Sequence, residues 1–320
     1  MCRIQQVYGT HCTYGTSAIR RGKGGSLEKE PLGYSARASS LEPNEVREHY
    51  ESLQGFWYYR LPPGTPPSKS AQLTARTAPR RFFYFPQVSG RRVLGQLCYR
   101  QRSTDGRLES YFGHILTAAV DNSRTDADED KNWDLLRCLA LWDAPGWQLE
   151  DEPRFSDSQD EYRVRSLSNL GDLLRDKHQP DLDNASSDSR LDKRKLAFDR
   201  ELAAFLDLEC GVQPSPSSAS CNASTPSQTA EPIAGVWRAR LPDVERRRQL
   251  VQTALAGFLE NAARTTGKVL LVAEPELAVL LFYAVARLLP DKVRNRTSFS
   301  TYEHEPGGVN ATLVATMFKD

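Results

Sequence analysis

Between residues 213 and 227 the chain reads Gln-Pro-Ser-Pro-Ser-Ser-Ala-Ser-Cys-Asn-Ala-Ser-Thr-Pro-Ser, with no aliphatic side chain larger than alanine. Such a stretch has nothing to bury against the entropy of ordering it, and it reads as a tether over 211–232. Any fold must therefore be assembled from what lies before and after it. With 320 residues there is length for two cores. The apolar fraction, 39%, falls below the ~45–50% of ordinary globular chains, as a long polar connection requires.

The first part is expected to be a domain over 1–150, of which 1–120 is rich in Tyr, Phe, Arg and Gly. Runs at 4–8, 56–61, 81–85, 93–99 and 111–120 read as strands broken by Gly and Pro turns. Residues 86–90 suggest a hairpin with a longer loop, and Ser103-Thr-Asp-Gly106 a second turn, giving three consecutive antiparallel strands. In 132–142, Trp133, Leu136, Leu139 and Ala140 recur at helical spacing and predict a short buried helix. Residues 151–232 are expected to be a largely disordered linker interrupted by one amphipathic helix at about 189–209. Leu191, Phe198, Leu202, Phe205 and Leu206 share the face by which that helix docks on one of the domains.

In 233–320, Leu250, Val251, Leu255, Phe258, Leu259 and Ala262 keep a helical period. Strand, helix and strand then follow over 268–273, 275–289 and 297–302, with another strand over 309–316, a βαβ signature. The run Val-Leu-Leu-Val-Ala at 269–273 is apolar throughout, as when helices cover both faces of a parallel strand. The expected fold class is α+β: a β-rich antiparallel N-terminal domain and a small α/β domain. Whether they touch is open at this level.

Lys plus Arg (42) nearly balances Asp plus Glu (41), so no global field draws the chain to nucleic acid or to an anionic membrane. The basic residues around 80–102 alternate with Phe82, Phe83, Tyr84 and Tyr99, which read as core rather than as a base-stacking platform. The N-terminus lacks the apolar stretch of a secretory leader, no run is long enough to span a bilayer, and the cysteines are widely spaced. A cytoplasmic protein with reduced thiols is expected. Cys2, His11, Cys12, Cys98 and His114 lack zinc-type spacing, so no metal is expected. No cofactor is expected either. The turn after the 268–273 strand, Ala273-Glu274-Pro275, is anionic and lacks an amide, the opposite of a phosphate loop.

Two features could carry chemistry. Arg20, Arg21, Gly22, Lys23, Gly24 and Gly25 form a basic, Gly-rich stretch able to offer amides and cations to an anion. His114 follows Gly113 at the start of an apolar strand, where its ring could sit between core and solvent. Arg37 and Arg107 join it as candidate functional residues, and Glu109 or Asp105 in the neighbouring turn could act with it. Ser298, Ser300, Glu303, His304 and Glu305 are close in sequence, but without a nucleophile elbow the alternating Ser-Phe-Ser-Thr-Tyr at 298–302 reads as a half-buried strand.

Three N-terminal elements, Gln6-Val-Tyr-Gly9, Tyr34-Ser-Ala-Arg-Ala-Ser39 and Gly106-Arg-Leu-Glu-Ser-Tyr-Phe-Gly-His-Ile-Leu116, and the stretch from Leu288-Leu-Pro-Asp to Arg-Thr-Ser-Phe-Ser-Thr-Tyr302 resemble the bacterial GTPase-associated protein 1 family. They match its N-terminal and middle domains. The resemblance implies a non-catalytic adaptor or effector-coupling protein working beside a small GTPase or related NTPase in a bacterial signalling or conflict system. It implies no catalytic residues. The chain ends soon after the middle-domain element, where longer members are expected to continue. Two other readings come from the residues themselves: a hydrolase of unrecognised type centred on His114, and an anion- or nucleotide-sensing domain using the Arg20 to Gly25 stretch.

Overall fold

The computed structural model describes residues 4–12, 17–21, 27–31, 35–39, 59–62, 65–70, 72–102, 108–120, 133–147, 185–208, 237–262 and 267–318. The tether at 211–232 and the polar tract at 151–184 lie outside the described residues.

Strands come first: β1 (Ile4–Cys12), β2 (Ser17–Arg21), β3 (Leu27–Pro31) and β4 (Ser35–Ser39). After a one-turn helix α1 (Pro67–Ser70) come β5 (Arg81–Val88), β6 (Arg91–Arg102) and β7 (Leu108–Ala119). Helices α2 (Leu135–Ala140), α3 (Ala185–Leu206) and α4 (Val244–Ala262) follow. The chain then runs through β8 (Val269–Val272), α5 (Pro275–Leu288), α6 (Asp291–Arg294), β9 (Phe299–Ser300) and β10 (Leu313–Thr316).

The fold is α+β. One eight-stranded sheet has the order β4-β1-β7-β6-β5-β9-β10-β8, and β2 pairs with β3 apart from it. From β4 to β9 every neighbouring pair is antiparallel, whereas β10 is parallel to both β9 and β8. The two regions on either side of the tether thus share a single sheet, joined where Phe83 and Tyr84 of β5 face Ser300 and Phe299 of β9.

Alternation along the strands feeds two cores. Phe82, Tyr84, Leu94, Leu116, Phe299 and Leu313 point to the face covered by α2, α3, α4 and α5. Phe83, Val93, Leu97, Ile115, Tyr302 and Val314 point to the other, where Tyr59, Leu61, Leu73 and Ala78 pack. The segment expected as a strand at 56–61 is irregular over its described residues, 59–61. Tyr59 holds it down by donating its hydroxyl to the Pro79 carbonyl at 2.6 Å. Gly95 is needed because a Cβ there would lie 2.4 Å from the Phe83 ring.

The β5–β6 hairpin is tighter than the expected loop. Pairing continues to Val88 and Arg91, leaving Ser89 and Gly90 as a two-residue turn with φ of 48° and 73°. Both central residues take positive φ because that twist matches the strands. The turn expected at 103–106 lies outside the described residues.

Helix α5 is the hub. Residues 278–286 are all buried, and Pro275 occupies its first turn, where its missing N–H is harmless. Helix α3 docks on both regions rather than one. Arg194 donates to the Ala140 and Trp142 carbonyls at 2.8 and 2.5 Å, closing the C-terminal end of α2. Tyr283 of α5 donates to Asp199 at 3.0 Å, and the buried Arg247 of α4 donates to the Phe205 carbonyl at 2.5 Å. Phe198 and Phe205 fill the apolar side between them.

The βαβ reading places α5 correctly, with β10 inserted between β8 and β9. Two expectations about its surface change. Leu270 and Val272 of β8 are exposed because the strand is the edge of the sheet and helices cover only one of its faces. Leu259 of α4 is exposed as well, on the side of the helix away from Phe258.

Candidate functional site

The densest polar arrangement lies at the join of β5 and β9. Arg81 and Glu303 are both 2% exposed and form an ion pair. Arg81 Nε donates to Glu303 Oε1 at 2.7 Å, and the Ser300 hydroxyl donates to the same oxygen at 2.6 Å. The guanidinium also lies 4.9 Å above the Phe83 ring. Charges this buried persist only when paired and hydrogen-bonded.

Around the pair, the residues of 298–303 each grip the other region or their own sheet. The Phe82 amide donates to Thr301 Oγ1 at 2.9 Å, and Thr301 Oγ1 donates to the Arg80 carbonyl at 3.2 Å. The Thr301 amide donates to the Phe82 carbonyl at 2.9 Å. Tyr302 donates its hydroxyl to the Arg60 carbonyl at 2.6 Å, and its ring lies 5.6 Å from that of Tyr59. Phe299 packs 5.3 Å from Phe82 on the opposite face. Ser298 to Glu303 are buried throughout, not half-buried as alternation suggested. Both faces are covered, because Phe299 lies in the helix-side core and Tyr302 in the core on the other face.

Arg80 and Arg92 are also largely buried; Arg80 bonds to Asp143 and lies 4.4 Å over the Trp142 ring. Two of the arginines expected in a basic cluster are therefore internal, and a third, Arg81, holds Glu303.

His114 sits in mid-sheet on β7, opposite Gln96 on one side and Tyr8 on the other. Its ring is fully buried, not held between core and solvent, with the Trp147 ring edge-on at 5.0 Å. Burial lowers its pKa from 6.5 to about 3, so the imidazole is neutral at neutral pH. Arg37 lies on β4 at the register shift between its pairs Ala38 with Tyr8 and Ala36 with Gly9, two strands from His114. Arg107, Asp105 and the run Gly22, Lys23, Gly24, Gly25 lie outside the described residues. Arg20 and Arg21 belong to β2, where the register sets Arg20 opposite Glu28 and Arg21 opposite Leu27. They are strand residues, not part of a loop.

Cys98 is buried and outside any disulfide, and among the described residues no group of His, Cys, Asp and Glu could hold a metal ion. The Gly267-Lys268 step precedes β8, and Lys268 Nζ donates to the Pro306 and Gly307 carbonyls at 3.0 and 3.1 Å. Among the described residues no helix is long and apolar enough to cross a membrane.

Sequence reasoning placed Ser300 and Glu303 together and Arg81 elsewhere, and did not join them. Alternation at 298–302 suggested a half-buried strand, so the sequence carried no signal that Glu303 is enclosed and paired with a distant cation.

The described structure is thus an α+β scaffold of two regions locked by a buried charged cluster. Two family models match these regions: GTPase-associated protein 1, N-terminal domain type 2, over residues 3–158, and GTPase-associated protein 1, middle domain, over residues 236–320. The chain belongs to the GTPase-associated protein 1 family. Neither the curated proteins nor the solved structures provide a match. The Arg81–Glu303 cluster joins residues from the two matched regions, and α3, which packs on both, falls between them.

Proposed function

We propose that this chain is a non-catalytic adaptor that couples a GTPase or related NTPase to a downstream component, within a bacterial signalling or conflict system. The family's association with GTPases supports the partner class. The observation that carries the coupling role is the continuity of the sheet through the β5–β9 pair. A partner that grips one matched region loads the other through backbone hydrogen bonds and a buried ion pair, without a hinge between them. The chemistry-bearing side chains that can be followed, His114 and the Ser300–Glu303–Arg81 group, are enclosed in the core and hold structure together.

The test is affinity capture of the tagged full chain from its native host, with mass-spectrometric identification and reconstitution from purified components. Recovery of a GTPase or related NTPase that rebinds the purified chain supports the adaptor role. Full expression with no NTPase recovered overturns it.

A further inference from the structure

Helix α3 is held by a narrow seam. Among its described side chains, 191–206, Leu191, Phe198 and Phe205 alone are buried, and they recur every seven residues. In α5, by contrast, 278–286 are buried without a break. A single seam of this kind belongs to a helix resting in a groove, with most of its surface left to water. The groove is lined by α2, α4 and α5. α2 lies in the region matched to the N-terminal domain, and Trp237, α4 and α5 lie in the region matched to the middle domain, whereas α3 lies in neither. The seat is built by both matched regions and filled by a segment from between them.

Polar groups of the seat read α3 from end to end. Near its start Arg194 reaches the Ala140 and Trp142 carbonyls at 2.8 and 2.5 Å. In the middle Asp199 accepts from Tyr283 at 3.0 Å and pairs with Arg287 at 3.2 Å, beside the Phe198 ring, which lies 5.0 Å from that of Tyr283. Further on Glu201 accepts from Trp237 Nε1 at 2.6 Å, and the Trp237 ring lies 5.2 Å from that of Phe205. Arg247 and Arg248 donate to the Phe205 and Leu206 carbonyls of the last turn at 2.5 and 3.1 Å. Cations there suit the negative pole of the helix, so the groove fixes the direction of its occupant as well as its register. The Arg287–Asp199 pair remains 48% and 35% exposed, against 2% for both members of Arg81–Glu303. Water can take over these groups when the helix lifts away, and no enclosed charge is left behind.

We infer that the α2–α4–α5 groove is a helix-recognition site held in cis by α3, and that it takes in its place a partner's amphipathic helix bearing the same pattern. That pattern is an aliphatic or aromatic side chain every seven residues, with Arg three residues after the first, and Asp and Glu one and three residues after the second, as at 191, 194, 198, 199, 201 and 205. The chemistry of the seat selects a helix over an extended segment, because its anchors lie at helical spacing and its paired arginines are met by the carbonyls of a helix end. This rests on the adaptor reading for the existence of a partner, and gives that partner a surface.

The full chain carrying Phe198→Ser and Phe205→Ser loosens α3 and keeps every residue of the seat. The probe is a fluorescein-labelled peptide of residues 185–208, followed by fluorescence anisotropy. The variant is expected to bind it at least about tenfold more tightly than wild type, whose own α3 competes from a high effective concentration. A second peptide with Arg194→Ala, Asp199→Ala and Glu201→Ala keeps the apolar seam and is expected to bind about tenfold more weakly than the first. A third, which retains only Leu191, Arg194, Phe198, Asp199, Glu201 and Phe205 on an otherwise Ala/Lys/Glu helix, stands in for a foreign partner and is expected to bind as the first does. Native-state hydrogen exchange on the wild type adds a measurement that needs no variant: α3 amides are expected to open at a lower free energy than those of α5. Opening of α3 and α5 together would overturn the inference, as would a variant that matches wild type by circular dichroism and binds no peptide. Equal binding of the first two peptides, or failure of the third, would do the same. No NTPase enters these measurements, so their outcome is separate from that of the capture experiment.

Discussion

The small parallel unit β9-β10-β8 has two flanks, and they are built in opposite ways. At β9 the flank is closed by another strand and fixed by polar groups: a buried ion pair, a serine hydroxyl on the same carboxylate, and a threonine bonded to both sides. At β8, among the described residues, the flank is open and apolar, with Leu270 and Val272 toward solvent. Apolar contact alone would let either edge slide or pair with many partners. The charged cluster at β9 admits one alignment, because any other leaves Arg81 or Glu303 buried without its counterpart. This sheet fixes its internal join with charge, while at its outer edge the described side chains are apolar.

The largest way to break the contrast is at the internal flank. Glu303→Ala removes the carboxylate that pairs with Arg81 in a site 2% exposed, and is expected to cost about 3–5 kcal/mol of unfolding free energy in urea denaturation. The double variant Arg81→Met, Glu303→Leu should recover most of that loss, since both desolvated charges are then gone. Equal damage from the single and double variants would mean that packing, not pairing, holds the join.

Next in size is a pH effect from the N-terminal part of the same sheet. His114 is held neutral with its pKa lowered to about 3, so between about 6.5 and about 3 the unfolded chain binds a proton that the folded chain does not. Its contribution is fully present above pH 6.5 and is lost as pH falls toward 3. At pH 5 this amounts to about 2 kcal/mol, at about 1.4 kcal/mol per pH unit. His114→Asn should flatten the stability-against-pH curve by that slope whatever it does at pH 7, and an unchanged slope would place the ring in water. The smallest effect belongs to the outer flank. Leu270→Ser should change the unfolding free energy by less than about 0.5 kcal/mol, measured by urea denaturation.

Local pattern was enough for the elements with a strong period. The β5 to β7 meander, α5 with its leading Pro275, and the apolar face of α3 all follow from spacing and turn residues. What was not legible depends on position in the sheet. The same apolar run predicts a covered strand, yet β8 is an edge, and the same alternation predicts a half-buried strand, yet β9 is central. Strand order is set by pairing over more than 200 residues, as between Arg81 and Glu303, and no local period encodes it. The family resemblance was legible from short elements, and the Ser-Phe-Ser-Thr-Tyr stretch that carried much of it proves to be the strand that joins the regions. His114 stood out because it opens an apolar run; the Trp147 ring that packs edge-on against it comes from a residue 33 positions away.

A single sheet makes the two matched regions open as one unit. Native-state hydrogen exchange on the full chain measures this directly, by comparing amides of β6 and β7 with those of β9 and β10. One sheet locked at Arg81 and Glu303 predicts a common opening free energy for both sets, lowered equally by Glu303→Ala. Two distinct opening free energies, with the variant lowering only that of β9 and β10, would contradict it.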